Sequence, residues 1–249
     1  MPRARRVAAS AAVGAAVAMG LAGCIPGPPP VPVPSPAAPI TPGGSGGSTG
    51  GGADGIVPAD GVATVDLVLE ERSAVVIGAT STDEEDLTLR LVGEGIDIEN
   101  DDGQPDSRRV FSFEPGSRDP MLAAVLEPGE YAIEVGEWSG DRSGYRMEVL
   151  TGTMTVSPGS TTSFGLRPGA PGIAIVPIES GDEVLAGDAD FDTVLWAYAP
   201  ESETAFSDDD SGGDRDPRIE LPGEAPQELV VVLAPYADDG SGPAQLRVE

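Results

Sequence analysis

From residue 62 to the end of the chain no stretch carries a helical period. Short β-branched or alternating runs follow one another instead, each bounded by Gly, Asp, Ser or Pro. The first series covers 62–69, 74–79, 87–92, 110–113, 121–126, 131–135 and 145–150. Leu87, Leu89 and Leu91 alternate with Thr88 and Arg90, the period of a strand with one face on a core and the other in water. Evenly spaced strands of this length, with turn signals between them, point to an all-β sandwich.

The second half repeats the unusual words of the first in the same order. Gly116-Ser117-Arg118-Asp119-Pro120 precedes one strand and then Pro128-Gly129-Glu130. Gly213-Asp214-Arg215-Asp216-Pro217 likewise precedes Pro222-Gly223-Glu224 and the strand at 229–233. Upstream of each stands an acidic turn, Asn100-Asp101-Asp102-Gly103 or Asp208-Asp209-Asp210-Ser211-Gly212. Downstream of each come an aromatic (Trp138, Tyr236), a Ser-Gly turn and a closing strand. Such order implies tandem domains, 56–151 and 153–249. The roughly 195 residues involved suit two sandwiches of about 100 residues each.

These segments resemble a known family, the bacterial pre-peptidase C-terminal domains. The resemblance rests on Asp86-Leu87-Thr88-Leu89 leading to Asn100-Asp101-Asp102-Gly103, and on Pro128-Gly129-Glu130-Tyr131 leading to Gly144-Tyr145-Arg146. Phe191-Asp192-Thr193-Val194-Leu195 leading to Ser207-Asp208-Asp209-Asp210 is similar. The second repeat departs from the pattern where Ala225-Pro226-Gln227 follows Pro222-Gly223-Glu224, and it lacks the Tyr of the Gly-x-Tyr word. The resemblance implies jelly-roll-like sandwiches used for attachment, targeting or binding, in some cases with calcium. Domains of this family usually flank a peptidase domain, and this chain has none.

The N-terminus reads as an export signal: Arg3, Arg5 and Arg6, a small apolar run from Val7, and Leu21-Ala22-Gly23-Cys24. The last four residues have the grammar of a lipobox, with cleavage after residue 23 and lipid on Cys24. The apolar run is shorter than the roughly 20 residues a membrane span needs. Residues 1–23 are then a lipoprotein signal peptide, and 24–55 a lipidated, disordered Pro/Gly-rich tether whose proline half is a stiff rod. The expected location is outside the cytoplasm, lipid-anchored to the cell membrane. Adjacent Arg5 and Arg6 leave both the general and the twin-arginine export routes open.

Composition removes several function classes. The chain has 42 Asp+Glu against 14 Lys+Arg, a net charge of −28, no histidine and one cysteine; every basic residue is arginine. Nucleic acid is excluded as a partner, because phosphate binding runs on basic residues. Without His or Lys there is no Ser-His-Asp relay, Ser-Lys dyad, Schiff base or phosphate-binding loop lysine. Carboxylate pairs remain, so a glycosidase-type hydrolase is the alternative to a non-catalytic binding module. A solute-capturing transporter subunit would need larger α/β lobes.

Two candidate sites remain. Asp208, Asp210, Asp214 and Asp216, with Gly212 and Gly213 between them, have the alternate spacing that aims carboxylates at calcium; Asp101, Asp102 and Asp106 form a poorer version. The competing reading is that Asp, Gly and Ser simply build turns. Trp138 and Tyr236, in matching loops, suit stacking on a sugar ring, or else plug the ends of their sandwiches. Trp196 and Tyr198 share one strand face and read as core. The expected partners are the membrane, through the lipid, and a carbohydrate, matrix component or envelope protein.

Overall fold

A computed structural model describes residues 39–40, 49–103, 110–178, 183–213, 215–221, 227–236 and 240–249. The fold is all-β, with four sheets packed as sandwiches and no helix among the described residues. Sheet I orders β2 (Ala63–Leu69), β7 (Gly129–Glu137), β4 (Leu87–Gly93) and β5 (Ile96–Asn100). Sheet II orders β1 (Thr49–Val57), β8 (Ser143–Gly152), β3 (Ser73–Ser81) and β6 (Met121–Leu126). Sheet III runs β9 (Met154–Thr155), β11 (Gly172–Ile178), β16 (Gln227–Pro235), β13 (Thr193–Ala199) and β14 (Thr204–Asp208). Sheet IV runs β10 (Thr161–Leu166), β17 (Gly242–Val248), β12 (Val184–Ala189) and β15 (Arg218–Glu220).

The two sandwiches have the same topology. Apart from the short β9, which pairs in parallel with β11, sheet III repeats the strand order of sheet I and sheet IV that of sheet II. Backbone bonds outside the ladders match as well. The amide of Trp138 donates to Asp86 O and that of Tyr236 to Asp192 O, both at 2.9 Å; Ala79 N donates to Pro120 O as Gly187 N does to Pro217 O.

Each sandwich has its own core, Val65, Leu67, Leu89, Ile133 and Val149 in the first and Val176, Leu185, Leu195, Val231 and Leu246 in the second. A third apolar cluster lies between sheets II and III. Ala74, Val76, Met121, Ala123 and Leu150 meet Ile173, Ile175, Trp196, Val230 and Val232, with Val110 and Phe111 wedged in. Sheets II and III are therefore apolar on both faces, which is why Ala74, Val75, Val76 and Ile77, like Leu229 to Leu233, run without alternation. The four sheets form one stack in the order I, II, III, IV.

Two features fasten the stack. The chain leaves sheet II at Gly152 and enters sheet III at Met154, with only Thr153 between. A Cβ on Gly152 would lie 2.3 Å from the Ile173 carbonyl oxygen, so only glycine allows this approach of strands. Arg72, in the β2–β3 turn, donates from Nε to Glu127 Oε1 at 2.9 Å and from Nη2 to Glu228 of the second sandwich.

Several expectations change. The tether expected over 24–55 ends earlier, because β1 begins at Thr49 and pairs with β8 from Thr49↔Thr151 to Val57↔Ser143. Ile40 is also buried: its amide donates to Asp66 O at 2.9 Å, and its carbonyl accepts from Val68 N. The glycines of β1 are packing positions, since a Cβ at Gly51 would lie 2.6 Å from Ile40 Cγ2, and one at Gly55 would meet the Tyr145 ring. Residues 110–113 are turn and bend, not strand; their apolar side chains serve the seam between sandwiches. The expected signal peptide and Cys24 lie outside the described residues.

Candidate functional site

In the second sandwich, β14 delivers Asp208 to a turn that doubles back into β15. Asp208 Oδ2 accepts the amides of Ser211 (3.0 Å) and Arg218 (2.7 Å), and Ser211 Oγ donates to Arg218 O. Gly212 N donates to Asp216 O, and Asp216 N to Gly213 O. Asp216 Oδ1 faces the amide of Ala189 at 3.4 Å. The alternate set Asp208, Asp210 and Asp216 thus does not converge; Asp214 lies outside the described residues. Asp208, Asp209 and Asp210 do converge, with one oxygen of each within 4.8 Å of the others. Desolvation, then the charges of Asp210 and Asp208, push the Asp209 carboxyl above its ordinary range. Asp209 is the member that the alternate spacing passed over.

The first-sandwich loop is a turn built on an asparagine. Asn100 Oδ1 accepts the amide of Asp102 at 2.8 Å, and Nδ2 donates to Met121 O at 2.9 Å. Asp101 and Asp102 join no convergent carboxylate group among the described residues, and Asp106 lies outside them. In the recurring Arg-Asp-Pro word, Asp119 Oδ2 caps the preceding turn by accepting from Gly116 N (2.6 Å) and also takes the Thr80 hydroxyl (2.9 Å). Pro120 and Pro217 each stand immediately before a strand, β6 and β15.

The aromatics of the matching loops stand at the surface. Trp138 is 65% exposed and does not plug its sandwich, whereas Tyr236, at 38%, keeps most of its surface covered. They occupy equivalent places beyond β7 and β16, in sheets separated by sheet II, and so belong to two sites rather than one. Trp196 is buried and stacks on Tyr198 at 5.8 Å between ring centroids. It is core, as expected, but the core it serves is the seam between sheets II and III.

A cleft that sequence reasoning missed opens along that seam, with a volume of about 470 Å³. Its floor is the outward edge of β1 and β8, where Gly50 and Gly52 contribute no side chain and Arg146 and Glu148 project. Ser112 stands on one side, and the β10–β11 turn of the second sandwich brings Arg167, Gly169 and Ala170. Glu148 Oε2 accepts the Ser112 amide at 2.8 Å. Arg146 reaches Ser112 Oγ at 3.4 Å and lies 5.9 Å over the Phe113 ring. The only sequence trace of this site is the glycine run ahead of Ala53, which reads equally well as linker.

No family model and no curated protein match the chain. Among solved structures, the dimeric latent PorU of Porphyromonas gingivalis is similar at 12% identity over 80% of this chain, with a TM-score of 0.18. The chain spans 19% of the length of that protein. A likeness at that score carries no argument.

Proposed function

We propose that this is an exported lipoprotein, anchored through Cys24, that displays two non-catalytic β-sandwich modules for binding or attachment at the cell envelope. The observation that carries the reading is the single cysteine, placed directly after Leu21-Ala22-Gly23 and an arginine-headed apolar run. The folded residues supply the rest: no histidine, no lysine and no second thiol for catalysis, and an acidic surface suited to display. The resemblance to pre-peptidase C-terminal domains supports attachment as the role. Exposed Trp138 supports a carbohydrate or matrix partner.

Lipid labelling with fractionation tests the anchor. The wild-type chain should take up a fatty-acid label and sediment with membranes, and Cys24→Ala should do neither; a Cys24→Ala chain that stays membrane-bound and labelled would refute the anchor. Calcium enters the reading only at Asp208, Asp209 and Asp210. A rise in melting temperature in millimolar calcium, lost in an Asp209→Asn, Asp210→Asn double variant, supports it; no rise removes calcium from the reading.

A further inference from the structure

We infer that the cleft along the seam binds the carboxylate of a hydroxylated acid, in size and chemistry an acidic sugar. Three observations carry this. First, each sandwich contributes one arginine to the lining of the same opening, Arg146 from β8 and Arg167 from the β10–β11 turn. Among the described residues neither makes an ion pair, and of the arginines in that state, which include Arg118, Arg142 and Arg215, these two line the cleft. In a chain with 42 acids, two arginines without an ion pair lining one cleft form a local anion site within a field that otherwise repels anions.

Second, Glu148 lines the same cleft, tied by one oxygen to the Ser112 amide. Its charge disfavours a dianion such as phosphate, and its acceptor capacity suits a ligand that also carries hydroxyl donors. Third, glycine occupies Gly50 and Gly52, the outward positions of β1 that line the cleft. A Cβ on Gly52 would meet only Met147 O at 3.5 Å, an ordinary contact, and one on Gly50 would graze Leu150. The β-sheet does not require glycine at Gly52, and the missing side chain leaves that part of the cleft open. A volume of about 470 Å³ lies in the range of small-ligand sites.

The inference rests on reading the folded body as a binding module, and it concerns that body rather than its anchor. The test is calorimetric titration of the full-length chain in detergent with glucuronate, glucose and inorganic phosphate. Glucuronate should bind, and glucose and phosphate should bind at least tenfold more weakly. Arg146→Gln and Arg167→Gln should each weaken glucuronate about ten- to a hundredfold, the loss of a charge-assisted hydrogen bond. Gly52→Val should abolish binding while the melting temperature holds. Three results would overturn the inference: no glucuronate binding by the wild-type chain, phosphate binding as tightly as glucuronate, or undiminished binding by a folded Gly52→Val chain. Because the titration uses purified chain, its failure leaves the lipid-labelling result standing, and the reverse also holds.

Discussion

Sheets I and III are the same sheet built twice, and they differ most on the face turned away from their own sandwich core. Aligning the ladders at Trp138 and Tyr236 puts Thr64 against Ile173, Asp66 against Ile175, Arg90 against Trp196 and Glu134 against Val232. On sheet I, Arg90 pairs with Glu134 at 3.1 Å and with Asp97 at 2.7 Å, in water. On sheet III the same cross-strand neighbours are an indole and a valine, buried against sheet II. Sheets II and IV show the reverse arrangement. Met121, Ala123 and Leu150 of sheet II face the seam, where sheet IV and its C-terminal extension have Arg218, Glu220 and Glu249 in a surface ion-pair cluster.

The difference teaches how the stack ends. The two sandwiches stack in the same sense, so the free face of sheet I is of the kind that sheet II already grips, and the free face of sheet IV is of the kind that grips. A contact of this type can repeat without closing. Charged residues at the positions that are apolar inside the stack act as caps, as terminal units do in repeat proteins.

The largest expected effect comes from removing both caps. A chain carrying Asp66→Ile, Arg90→Trp, Glu134→Val, Arg218→Met, Glu220→Ala and Glu249→Leu should assemble head to tail and sediment far faster than wild type. A folded variant that sediments like wild type would break the equivalence of the faces. Next in size is the contrast between two equivalent positions. Trp196→Ala should cost about 3–5 kcal/mol in denaturant unfolding, as a large buried aromatic does, and Arg90→Ala far less, as the loss of an exposed ion pair does. Similar costs at the two positions would mean that the seam is not a true core.

The smallest effect is in pH. Hydrogen bonds from Arg90 hold the Asp97 carboxyl below its ordinary range, so the ionised form is favoured in the folded state. The stability it contributes is present above about pH 4, the unfolded carboxylate value, and is lost as pH falls through the lower folded value. Acid melts should therefore narrow the gap between wild type and Arg90→Ala. A gap that stays constant down to about pH 2 would show that Asp97 adds nothing.

Much of this was legible in the chain. Alternation at Leu87, Leu89 and Leu91 gave a half-buried strand, and the repeated Arg-Asp-Pro and aromatic-loop words marked equivalent places in two sandwiches. Glycine hid β1, because composition cannot distinguish a linker from a strand whose missing side chains make room for Ile40 and Tyr145. The unalternating runs at Ala74 and Leu229 signalled burial on both faces but not what covers the second face. Convergence at Asp209 depends on how the turn folds, and the seam cleft exists only once two distant repeats meet, so neither had a local signal.

The central claim is that the seam between sheets II and III joins the two sandwiches into one cooperative body, without which the cleft would have no second wall. Scanning calorimetry of the chain tests it most directly. A single transition whose calorimetric and van't Hoff enthalpies agree is the predicted result. Two separate transitions, with only the second sandwich destabilised by Trp196→Ala, would contradict it.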